Sequence, residues 1–168
     1  MFKEKSLDFY RKKRMNKENK SGFWVVPDTN VIISAELAKD QRSPNKDFIE
    51  RWLDHEFIVL FSDDTKIEYA IKLREKNIPK EKIIALLANL TMLGNNVVVT
   101  HYHLKYYPED EDDICFVLCA ENGNATHIVT YDKHLLTLKG KYRFEILQIV
   151  PFLSELRKVL ETKRKENE

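Results

Sequence analysis

Glycine, cysteine and long apolar runs are all scarce in this chain. Four glycines occur in 168 residues, and none belongs to a loop that could cradle a phosphate. P-loop and dinucleotide-binding functions are therefore excluded. The two cysteines, Cys115 and Cys119, lie in one apolar run. They are too few for a disulfide framework and read as small core residues of a cytosolic protein. The longest apolar run, Ile114 to Ala120, has seven residues, against roughly 20 needed to cross a bilayer. No apolar stretch behind a basic start has the form of a secretion signal. The expectation is a cytoplasmic protein with no membrane span. No grouping of Ser, Cys and His supports a nucleophilic triad.

What is present is a chain of ordinary globular composition, 43% hydrophobic and 33% charged. Its length suits one domain with a real core. The net charge of +1 hides an asymmetry. Residues 1–20 hold eight Lys or Arg against three acids, and residues 21–154 hold 15 against 20. A basic N-terminal extension over 1–22, a domain over 23–162 and a charged tail over 163–168 are expected. The extension could touch nucleic acid, or it could be solvated.

Short apolar runs at Phe23–Val26, Phe57–Phe61, Val97–Val99, Thr126–Thr130 and Phe144–Val150 read as strands. Helical patterns separate them. Thr29–Leu37 and Asn45–His55 follow the first run, and Ser62-Asp63-Asp64 opens a helix to about Lys76. Another runs from Pro79 to Gly94, one from Asp112-Asp113 to Gly123, a short one from Asp132, and a last one from Pro151. No Asn-Gly or Asp-Gly turn joins neighbouring strands. The alternation predicts an α/β fold: a mostly parallel five-stranded sheet between helical layers. The helix over Ile83–Leu93 carries more apolar surface than one packed face needs, which suggests self-association.

In such a sheet the strand ends that lead into helices share one edge, where ligands bind. Asp28 follows the first strand, Glu68 lies about two turns into the helix after the second, Asp112 and Asp113 begin the helix after the third, and Asp132 follows the fourth. Each aspartate alone could be a helix N-cap, and Glu68 alone could be a solvated face. Together they make a problem, because two like charges at about 4 Å repel by roughly 4 kcal/mol at an effective dielectric of about 20. The remedies are a raised pKa or a bound cation. An all-oxygen set suits Mg²⁺ or Mn²⁺, which polarises a phosphate and activates water. Phosphodiester hydrolysis is the chemistry that fits.

Val26-Pro27-Asp28-Thr29-Asn30-Val31-Ile32-Ile33-Ser34 resembles the opening motif of PIN-domain ribonucleases. Ile67-Glu68-Tyr69 resembles the family's internal acidic motif. Asp112-Asp113-Ile114 through Ala120, followed by Ile128-Val129-Thr130-Tyr131-Asp132, resembles its second half. The likeness spans residues 23 to about 152, and is nearest to the branch of toxin components of toxin–antitoxin systems. It implies a PIN-like three-layer α/β/α fold and a metal-dependent endoribonuclease. Asp28, Glu68, Asp113 and Asp132 would be the catalytic and Mg²⁺ or Mn²⁺ ligands, with Asp113 favoured over Asp112 by spacing. Asn30 and Thr130 would orient them. RNA is the implied substrate, an antitoxin protein and a second copy of the chain the implied partners. The extension before residue 23 lies outside the family pattern.

Lys66, Lys72, Arg74 and Lys133 are candidates for holding RNA phosphates, Lys66 and Lys133 foremost. Tyr106 and Tyr107 could stack bases or pin their loop. His101 and His103 read as a solvated loop pair, and His127 as a satisfied core histidine. A haloacid-dehalogenase phosphatase would need an acid where Asn30 stands, and a response-regulator receiver a lysine where Gln148–Pro151 stand. The alternative from another class is a non-catalytic RNA- or protein-binding module on the same fold.

Overall fold

The computed structural model of the chain describes residues 1–3, 5–15 and 18–167. Glu4, Asn16 and Lys17 of the expected extension and Glu168 of the expected tail lie outside them. Five strands, β1 (Trp24–Pro27), β2 (Ile58–Phe61), β3 (Asn95–Asn96), β4 (His127–Val129) and β5 (Glu145–Leu147), form one sheet in the order β3-β2-β1-β4-β5. Every pairing is parallel. All four residues of β2 and all three of β4 are buried, so both sheet faces are covered, as parallel strands require.

Eight helices accompany the strands among the described residues: α1 (Leu7–Met15), α2 (Thr29–Leu37), α3 (Pro44–Leu53), α4 (Asp63–Glu75), α5 (Lys80–Leu93), α6 (Ile114–Asn122), α7 (Lys133–Leu136) and α8 (Ile149–Glu166). None is long and apolar enough to cross a membrane. Ser62 and Thr65 close a reciprocal capping box at the start of α4, which fixes where β2 stops and the helix begins.

Two strands differ from the sequence pattern. The third lies at Asn95–Asn96 rather than Val97–Val99. Its partner β2 ends at Phe61, because Ser62 is already the α4 cap, and the valines run past it after one last bond from Val97 N–H to the Phe61 carbonyl. The fifth strand is shorter than Phe144–Val150, since α8 starts at Ile149 with Pro151 inside its first turn. Proline is tolerated there because that turn's N–H groups have no helical partner.

The N-terminal residues are docked on the domain rather than trailing from it. α1 packs against α5. Phe2 and Tyr10 are buried, while Leu7 is exposed. The Tyr10 hydroxyl bonds Asn89 of α5 at 2.9 Å. The Phe2 N–H donates to buried Glu36 at 2.9 Å, and Lys82 of α5 pairs with the same carboxylate. Part of the apolar α5 face read as a self-association surface is therefore covered by the chain's own first residues. Ile67, Ile71 and Ile84 stay exposed.

Candidate metal centre

From β1 the chain moves outward through β2 to β3, and β4 and β5 continue on the other side of β1. The direction switches between β1 and β4, the place where an α/β sheet opens a crevice at its carboxyl edge. The ladder pairs Pro27 with Val129. The next residues, Asp28 and Thr130, therefore leave the sheet side by side. The Thr130 hydroxyl donates to Asp28 Oδ2 at 2.7 Å and accepts from the Asp132 N–H at 2.8 Å. One fully buried threonine thus ties together the acids that follow the two central strands.

The innocent explanation of these acids was helix capping, and the geometry separates them. Asp132 is a working cap: its Oδ1 accepts the His134 N–H at 2.7 Å. Asp28 sits at the N-cap position of α2 and Asp113 at that of α6, yet neither closes a capping hydrogen bond. Both are buried, at 3% and 6% exposure. Asp113 Oδ2 has no hydrogen-bond partner at all. A buried, unpartnered carboxylate oxygen is costly, so capping does not account for Asp113.

The acidic loop before α6 divides its roles. Asp110 caps a short 3₁₀ turn over Glu111–Asp113 by accepting the Asp112 N–H. Asp112 turns outward to Lys72 Nζ, 2.8 Å away. Asp113 alone turns inward. Asp28, Thr29, Asn30, Glu68, Lys72, Glu75, Lys76, Asp110, Asp112, Asp113 and Asp132 line a single cleft of about 280 Å³ together with Ile33 and Phe116.

The electrostatics follow from this crowding. Burial pushes the Asp113 carboxyl up to about 7, and the charges of Asp28, Asp132, Asp110 and Asp112 push the same way. Burial also raises Asp28. The Thr130 hydroxyl draws it back, as do the N–H groups of Thr29 and Asn30, which lie near it without forming a capping bond, while Asp132 raises it. Glu68 is raised by burial first, then by Asp112, against the pull of Lys72.

The donors lining the cleft are carboxylate, hydroxyl and amide oxygens, with no His or Cys among them. Burial pushes both thiols up, Cys115 strongly and Cys119 to about 12, so neither competes as a thiolate. Such a set fits a hard divalent cation, and the orphaned Asp113 Oδ2 is the atom such an ion would satisfy. Among the described residues, no three His, Cys, Asp or Glu side chains form a ready cage. Mg²⁺ does not demand one, since it is commonly held by one or two carboxylates with waters and substrate phosphate completing its shell.

The remaining sequence candidates fall variously. Asn30 is exposed on the cleft wall. Lys66 is not brought to the cleft: it pairs with Asp63 at 3.3 Å and lies over the Phe61 ring. Residue 66 is two positions from Glu68, about 200° around the helix. Lys133 is exposed beside Asp132 at the start of α7 but is not on the cleft wall. His127 is buried between Thr126 and Glu155, and His101 and His103 are exposed. Tyr142 bridges the backbone of Tyr106, and Tyr107 takes the Leu104 N–H, which pins the loop. Nothing in the sequence assigns Tyr69 a role beyond its place in the acidic motif, yet it is fully buried and donates its hydroxyl to the Pro27 carbonyl. That bond clamps α4 to the end of β1, next to Asp28. Glu75 and Lys76 were also missed, although Glu68, Lys72 and Glu75 at steps of four and three share one helix face.

Thr130→Val keeps the side-chain shape and removes the donor on Asp28. It is expected to weaken Mn²⁺ binding by roughly 10–100-fold, as read by calorimetric titration. Unchanged affinity would show that the hydroxyl does not orient the ligand.

A family model described as PIN domain matches residues 24–134 of the chain, which include Asp28, Glu68, Asp113 and Asp132. No curated protein matches it.

Proposed function

Starting from the chain's membership of the PIN-domain family, whose members are generally nucleases, we propose that it is a metal-dependent endoribonuclease. Asp28, Asp113 and Asp132 would hold Mg²⁺ or Mn²⁺, and Glu68, the fourth acid of the set, lines the same cleft from α4. When bound, such an ion supplies an activated water and a Lewis acid toward the phosphate. The chain's own groups do the placing. Thr130 fixes the Asp28 carboxylate and the Asp132 backbone. Tyr69 holds the strand end that carries Asp28. Lys76 on the cleft wall and Lys133 at its margin would meet RNA phosphates.

The observation that carries this reading is the buried, unpartnered Oδ2 of Asp113 among like charges. It has no use in a merely structural helix start. A non-catalytic RNA-binding module on the same fold is the second reading, and the lack of a ready three-ligand cage among the described residues favours it. That the enzyme is the toxin of a toxin–antitoxin pair, restrained by an antitoxin protein in the cytoplasm, rests on the sequence resemblance alone. Pairing of two copies would fall to the exposed Ile67, Ile71 and Ile84. Cleavage of single-stranded RNA by the purified chain with added Mn²⁺ or Mg²⁺, and its loss on Asp28→Asn, tests the enzyme reading. RNA bound but never cut would establish the binding module instead.

A further inference from the structure

The cleft is not uniformly acidic. On the α4 wall, Lys72 Nζ stands 2.8 Å from Asp112 Oδ2, 3.8 Å from Glu68 Oε1 and 3.9 Å from Glu75 Oε2. One ammonium therefore sits among three carboxylates. On the opposite wall Asp28 and Asp132 share Thr130, and Asp113 presents an unpartnered oxygen at 6% exposure. No cation of the protein is paired with these three among the described residues. The two walls belong to one cleft but are neutralised differently.

We propose that Lys72 is a built-in cation occupying the place a second divalent ion would take, so that the cleft holds one ion, on the Asp28–Asp113–Asp132 wall. The inference rests on the metal-dependent reading above. An ion entering between Glu68 and Asp112 would meet the lysine charge at contact distance, and like charges so placed repel. The ammonium also supplies hydrogen-bond donors to its acids, which a bare cation must match by shedding water. A lysine is a strongly hydrated point charge on a flexible stem. It can thus hold the Glu68 wall at rest and swing to a phosphate oxygen when RNA lies in the cleft. A one-ion site with a lysine at its second position positions substrate through that lysine, which makes Lys72 a positioning residue rather than a ligand.

The test is Mn²⁺ stoichiometry, by calorimetric titration together with electron paramagnetic resonance of free Mn²⁺. It compares the native chain, Lys72→Met, Lys72→Arg and the double variant Lys72→Met/Glu68→Gln. Lys72 is partly exposed on α4, and a melting curve for each variant confirms that it is folded. One ion is expected in the native chain and in Lys72→Arg, and two in Lys72→Met. The second should be lost in the double variant, while the first keeps its affinity. Two ions in the native chain, or one in Lys72→Met, would overturn the inference and leave the metal-dependent reading standing. No ion in any form, with RNA uncut, would overturn that reading and the inference with it.

Discussion

Asp28→Asn is expected to lower the rate of RNA cleavage at saturating Mn²⁺ by about 10³-fold, with the melting temperature unchanged or raised. The side chain changes by one atom, and Thr130 can still donate to the remaining amide oxygen, so the contact at 2.7 Å survives. What goes is a buried negative charge at the end of the central strand. Loss of about 4 kcal/mol of transition-state stabilisation, a plausible share for a metal-anchoring charge, corresponds to about three decades in rate. Stability should not fall, because a carboxylate buried near Asp113 and Asp132 is itself a cost to the fold. A variant that cuts RNA at the native rate would remove Asp28 from the chemistry. A variant that merely unfolds would make the residue structural.

Asp113 should contribute more to the stability of the metal-free protein at pH 6 than at pH 8, the opposite of what acid-labile ion pairs give. It is also opposite to the buried N-terminal amine and His127, whose lowered values favour the higher pH. The folded-state pKa of Asp113, about 7, lies above its ordinary 3.8, so the folded chain binds the proton more tightly than the unfolded chain. The stabilisation from that proton is fully present below 3.8 and is lost as pH rises through 7. One unit below the folded pKa it amounts to about 1.4 kcal/mol. Asp28 and Glu68 are shifted in the same direction. Asp113→Asn should erase the Asp113 part, so the variant gains on the native chain at pH 8 and gains little at pH 6. Urea denaturation of both chains in chelator at the two pH values separates the Asp113 contribution from every other titrating group. A native chain whose advantage over Asp113→Asn grows toward pH 8 would mean that the carboxylate is held by a partner and is not strained. The pattern is that of a functional site held against stability.

Much of this could be read from the sequence, and the parts that could not have physical reasons. Asp28 and Asp132 were legible because each follows an apolar run at a strand-to-helix junction, and Asp113 because it opens an apolar helix; parallel strands deliver such junctions to one edge. The adjacency of β1 and β4 was not legible from chain order. It is this adjacency, through the Pro27–Val129 register, that brings Thr130 onto Asp28. The choice between Asp112 and Asp113 needed the 3₁₀ turn, which rotates one outward to Lys72 and the other inward. Lys66 lies two residues from Glu68, and helix phase places it on another side, whereas the same phase brings Lys72 and Glu75 to the Glu68 face. The docking of the N-terminal segment was hidden because the buried apolar side chains among its described residues are Phe2 and Tyr10, isolated in a polar stretch, while Leu7 remains in solvent. A window average registers neither.

Acids from separate junctions would meet in this cleft because a divalent cation belongs between them, and anomalous diffraction from a Mn²⁺-soaked crystal would show it. A peak is expected within bonding distance of Asp113 Oδ2 and a carboxylate oxygen of Asp28 or Asp132. A cleft without a peak at millimolar Mn²⁺, or manganese bound only elsewhere on the surface, would contradict it.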